Sequence, residues 1–258
     1  GFLRNAMLNE EGGADPEQFR IDGLIDRMDC IGKAVLGITI QCAQCHDHKY
    51  DPISQKNFYE MFAFFNNTPE KGYEGDVSQS KPAKTPILWI ERDDINELLT
   101  FINHQDTSKL MVSVMDELDT LRTTYILNRG LYDARTTPVS PNTPESIFSF
   151  PDDLPKNRLG LAQWTVDKNN PLTARVFVNL MWQEIFGVGI VKSTGDFGMQ
   201  GDLPSHPELL DWLAVEFRDH GWDVKRMVKL MVTSRTYRQS SSLRPELKDL
   251  DPANRLLA

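Results

Sequence analysis

Apolar residues recur at steps of three and four through Ile21, Leu24, Ile25, Met28, Ile31 and Val35, the spacing of one buried helical face. Ahead of them, Asp15-Pro16-Glu17-Gln18 offers a capping carboxylate, a proline suited to the first turn and a Gln at capping-box distance. This predicts a helix from Pro16 to a stop near Gly37. Ser54 heads a second: Phe58, Met61, Phe62 and Phe65 share a face, and the helix must end before Pro69. Farther on, Ile87–Ile90 reads as a short strand and Asp94–Ile102 as a short helix. The runs Leu110–Met115 and Thr123–Leu127, apolar and β-branched on either side of a polar turn, predict a small antiparallel pair. Prolines 138, 141, 144, 151 and 155 exclude helix over residues 133–156 and mark an extended connection.

Helical spacing then resumes. Asn157 opens a helix through Trp164, and Asn170-Pro171 opens one through Phe186, stopped by Gly187. Ser205-His206-Pro207-Glu208 reads as a capping box before Leu209, Leu213 and Phe217, with a stop at Gly221; Asp223 precedes Val224, Met227, Val228 and Met231. The expected class is mainly α with a small antiparallel β element (α+β). Two helical units, 1–68 and 156–258, are joined by a Pro-rich, partly β connection, 69–155. No repeat or low-complexity segment interrupts this organisation.

Composition narrows the picture. With 258 residues, 40% of them hydrophobic and 25% charged, the chain can bury a core and is not disordered. Its apolar runs, such as Ile87–Ile90, fall far short of the ~20 residues that cross a bilayer. A net charge of −9 disfavours nucleic acid, whose phosphates need clustered Lys and Arg. The sequence opens on Gly1 without a leader and stops at Ala258 without a helix stop, which suggests a piece of a longer protein, truncated at both ends.

Of three cysteines, Cys42 and Cys45 are separated by two residues and followed directly by His46. Cys-x-x-Cys-His is the attachment pattern of c-type haem. Two thiols three positions apart can each form a thioether to one vinyl group of the same porphyrin, and the next imidazole can ligate the iron as its proximal ligand. Met61 is a candidate distal ligand and Met199 a weaker one, although a Met at helical spacing is more often core. Zinc is the main competitor, with Cys42, Cys45, His46 and His48 as two sulfurs and two nitrogens, though adjacent ligands compress such a site. A redox disulfide would also suit the spacing but lacks its usual βαβ setting.

Other polar groups have structural explanations. Phe58, Phe62 and Phe65 could wall a flat cofactor, but core packing accounts for them better. Glu10-Glu11 fits a solvated loop, His206 a helix cap, and His220 a helix C-terminus, where a cation suits the dipole. No Ser-His-Asp arrangement, phosphate loop or dinucleotide fingerprint is present.

Longer strings add a resemblance. Asn9–Gly13, Asp15–Arg20, Cys42–Lys49 with Asp51-Pro52-Ile53, and Phe64-Phe65-Asn66 resemble the cytochrome-like domain of unknown function found in large secreted planctomycete proteins. Asn157–Ala162, Asn170–Val176, Asp196-Phe197-Gly198, Pro204–Asp211 and Thr233–Arg238 resemble its C-terminal companion domain. The resemblance implies an exported, multidomain protein, periplasmic, secreted or at the cell surface, often with an upstream cytochrome c domain, and assigns no reaction. The leading expectation is a haem c electron-transfer module working with a redox partner protein or that upstream domain. A structural scaffold with a zinc or empty site is the alternative, and a redox enzyme acting on extracellular polysaccharide a weaker one.

Overall fold

The computed structural model describes residues 2–5, 10, 12–73, 75, 84–91, 109–240, 242, 250–252 and 254–256. The fold is α+β, with six α-helices and two antiparallel two-stranded sheets among the described residues. The helices are α1 (Pro16–Ile31), α2 (Gln55–Asn66), α3 (Arg158–Thr165), α4 (Thr173–Phe186), α5 (Pro207–Asp219) and α6 (Val224–Val232). The strands are β1 (Ile87–Glu91), β2 (Lys109–Ser113), β3 (Thr124–Leu127) and β4 (Arg135–Val139). They belong to two compact units, neither of them one continuous segment: Gly1–Met28 with Tyr59–Pro141, and Asp29–Phe58 with Asn142–Ala258.

In the first unit, Asp15 caps α1, its Oδ1 accepting the N–H groups of Glu17 (2.8 Å) and Gln18 (3.2 Å). Ile21, Leu24, Ile25 and Met28 are buried at the predicted spacing. Met61, Phe62 and Phe65 are buried from α2, as is Phe64 between them, so α2 is apolar on more than one face. Asn66, at the end of α2, joins three elements: its Oδ1 accepts from Arg20 of α1 (2.9 Å), and its Nδ2 donates to Thr124 of β3 (2.9 Å).

The strand pairing differs from expectation. β2 pairs with β1, Leu88 opposite Val112, and β3 pairs with β4, Thr124 opposite Val139. An apolar, β-branched run identifies a strand without naming its partner. The tight connection after β3 decides the second pairing, because Arg129 (φ 51°) and Gly130 (φ 74°) turn the chain straight back. β4 lies in the stretch whose prolines suggested a plain connection. Pro138 sits opposite Tyr125, which a two-stranded sheet tolerates because each strand is an edge. The helix expected at Asp94–Ile102 lies outside the described residues.

In the second unit, α1 ends at Ile31 and passes into one wide π-turn, Gly32–Leu36, closed by Gly37 at φ 60°. That turn packs against α4. A Cβ on Gly37 would lie 2.7 Å from Val176 Cγ2 of α4 and 2.8 Å from Phe197 Cδ2, so glycine serves both the turn and the close approach. Helices α4, α5 and α6 share a core of Val178, Trp182, Leu210, Leu213, Phe217 and Met227. Asn179, fully buried in α4, clasps Val191, accepting its N–H (2.8 Å) and donating to its carbonyl (2.9 Å). Asn157 caps α3 through Gly160 N–H, and Asp223 caps α6 through Arg226 N–H. The capping box expected at Ser205–Glu208 does not form. His206 occupies the cap without a side-chain cap bond, because Ser205 is drawn to Ile190, whose carbonyl accepts both its N–H and its hydroxyl.

Candidate functional site

The Cys-x-x-Cys-His segment lies in the second unit. Ile40–Gln44 forms a 3₁₀ turn, in which side chains three apart eclipse. Ile40 and Ala43 are fully buried and hold the turn to the core; Cys42 and Cys45, at the same spacing, are exposed. Both cysteines are outside any disulfide. The turn is fastened at its far end by α2: Gln55 Nε2 donates to Gln44 O (2.9 Å), and Gln55 N–H donates to Asp47 Oδ1 (2.8 Å).

His46 and His48 have opposite hydrogen-bond assignments. His46 is exposed, and its Nδ1 lies 2.6 Å from the Asp47 carbonyl oxygen. A carbonyl only accepts, so Nδ1 carries a proton, and in the neutral ring the lone pair is on Nε2. His48 is buried, and its Nδ1 accepts the N–H of Asp51 (2.9 Å) and, at longer range, of Tyr50 (3.3 Å). The ring proton therefore sits on Nε2 and is donated to Thr39 Oγ1 (3.1 Å). Asp51 Oδ2 lies 3.5 Å from His48 Nδ1. That contact is not an ion pair, since the backbone N–H groups already occupy the nitrogen.

Asp51 is the base of the site. It is buried, accepts Met199 N–H at Oδ1 (2.7 Å), and sits so close to Gly198 that a Cβ there would be 2.5 Å from Oδ2. Phe197 N–H donates to Gly37 O (2.7 Å). Asp196-Phe197-Gly198 thus docks against the segment carrying the cysteines. The predicted methionines are placed differently from each other: Met61 is fully buried in the part of α2 that belongs to the first unit, while the Met199 side chain is 76% exposed. Phe58, Phe62 and Phe65 are all buried. Among the described residues, no group of three or more His, Cys, Asp or Glu is arranged to hold a metal ion. For the zinc set, His48 would have to give up at least the backbone N–H bonds of Asp51 and Tyr50 that its Nδ1 accepts.

Two segments of the chain match known families. Residues 1–70 match PSCyt2, a protein of unknown function (DUF1549), and residues 157–258 match PSD1, a protein of unknown function (DUF1553). Both are planctomycete-type domains of unknown function, and the first name points to an association with cytochromes. No curated protein and no solved structure matches the chain. Asp51 and Met199 therefore join the PSCyt2 and PSD1 segments directly. The roles of Thr39, Asp51 and Gly198 were not apparent from the sequence; the only signals were Asp-Pro-Ile and Asp-Phe-Gly, strings without a chemistry of their own. No helix among the described residues is long and apolar enough to cross a membrane.

Proposed function

We propose that Cys42, Cys45 and His46 attach a c-type haem, with the thiols as thioether anchors and His46 Nε2 as the proximal iron ligand. The assignment of the His46 ring carries this reading. A ligating imidazole typically donates its other ring N–H to a carbonyl or carboxylate, which fixes its tautomer and orientation, and Asp47 O receives that bond here. The donor set also fits in being accessible, since both thiols and the imidazole are exposed. His48 lends its nitrogens to the fold, so this reading is favoured over zinc. When bound, a haem supplies one-electron redox chemistry tuned by its axial ligands and burial. The protein's part would be to hold the group by two thioether bonds, at Cys42 and Cys45, and to offer His46 Nε2 to the iron. Electron transfer to a redox partner protein or an upstream cytochrome domain, outside the cytoplasm, follows as the proposed role.

Co-expression with a cytochrome c maturation system tests this. Expected is a reduced α-band of c-type position that resists acid-acetone extraction and disappears in Cys42→Ala and Cys45→Ala, while His46→Ala keeps the covalent haem with an altered spectrum. A colourless folded protein would refute the proposal, whether it binds zinc or not.

A further inference from the structure

The first unit contains a cavity of about 370 Å³, formed by α1, the end of α2 and the β3–β4 hairpin with the residues leading into it. Three guanidinium groups line it, Arg20, Arg122 and Arg135, against one carboxylate among the described lining residues, Glu17. In a chain of net charge −9, this is a local reversal of sign. Glu17 is taken up by a two-pronged pair with Arg20, whose Nε and Nη2 donate at 2.8 and 2.9 Å. Arg122 Nη1 donates to the carbonyls of Asn66 (3.3 Å) and Thr68 (2.6 Å), bonds that orient a guanidinium without neutralising it. Arg135 reaches Glu17 at 3.3 Å, leans over the Tyr125 ring at 5.9 Å, and leaves its side chain 55% exposed.

Three positive charges against one negative charge leave an excess of two. The nearby acids do not cancel it fully: Glu70 is paired with Arg4 and Arg27, while Asp15, which accepts the Tyr132 hydroxyl, keeps its negative charge and offsets part of the excess. Burial, and then the neighbouring Arg20, make the Arg122 guanidinium easier to deprotonate than usual, with Glu17 and Glu70 opposing them. Like charges held together in a partly enclosed space are stabilised by an anion that bridges them. The volume lies in the lower part of the range of small-molecule sites, roughly 300–1,000 Å³.

We propose that this cavity binds a small organic dianion by its carboxylate or phosphoryl oxygens, with Arg20 and Arg122 as its fixed wall and Arg135 as the arm that leaves Glu17 to close on the ligand. Arg forks match both oxyanions. Titration calorimetry of the full chain at low ionic strength, with succinate and inorganic phosphate as separate probes, tests the site. Expected is saturable binding of at least one probe, weakened about tenfold by Arg135→Gln, less by Arg135→Lys, and weakened by added salt. Arg135 is exposed and its contact with Glu17 is long, so only a small change in melting temperature accompanies the loss. The tighter probe identifies the oxyanion. No saturable binding of either probe up to about 10 mM, or binding that Arg135→Gln leaves unchanged, overturns the proposal.

Discussion

Two imidazoles separated by one residue end up in different chemical states because their neighbours differ. His46 meets a carbonyl and His48 meets two backbone N–H groups; neither the Cys-x-x-Cys-His pattern nor the His-x-His spacing contains that information. Glu17 has a comparable local setting. Its hydrogen bonds from Arg20, together with the charges of Arg20, Arg135 and Arg122, hold its carboxyl below the usual carboxylate range, against burial. A group whose pKa is lowered on folding stabilises the folded state above its unfolded value, about 4.3 for Glu, and this contribution is lost as pH falls through the folded value. The side chain is 38% exposed, so solvent screening limits the effect to about 1 kcal/mol or less. Urea unfolding between pH 3 and 7 is expected to show a steeper acid loss of stability for the wild type than for Glu17→Gln. Parallel curves would remove Glu17 from the account.

At the scale of elements, the anchoring of the Cys42–His46 turn depends on a loop about 150 residues later in the chain. Gly198 allows its backbone to lie against the Asp51 carboxylate, which is itself buried and bonded to Met199 N–H. Gly198→Ala places a methyl where Asp51 sits, so either the loop or the carboxylate must move. The expected destabilisation is about 1–3 kcal/mol, as for other overpacking, read from chemical denaturation. A variant as stable as the wild type would mean that this contact carries no strain. Strand pairing belongs to the same scale. The residues of β2 and β3 were legible as apolar, β-branched runs, but their partners were set by the turn at Arg129-Gly130 and by β1.

At the scale of the molecule, the segments that match families in sequence are not the units that are compact in space. The PSCyt2 segment contributes residues to both units. Within the second unit, Gly37 needs Val176 and Phe197, and Asp51 needs Met199. Within the first, Asn66 needs Thr124. Residues 1–70 alone lose all of these partners, leaving buried polar groups unsatisfied and apolar faces in water. That fragment is expected to show little cooperative melting by circular dichroism and poor amide dispersion by NMR. A dispersed spectrum with a sharp melt would show the segment to be an autonomous domain.

The sequence alone determined the α+β class, the buried faces of α1 and α2, several helix caps and stops, and the candidate chemistry of Cys42, Cys45 and His46. All of these rest on residues within a few positions of one another, where helical period, capping geometry and short motifs act. Tertiary structure decided which strands pair, why Ser205 does not cap α5, which histidine keeps a lone pair available, and that three arginines from distant segments line one cavity. Those outcomes depend on which carbonyl, N–H or charge arrives from elsewhere in the chain, and long-range meetings of that kind leave no period or spacing to read.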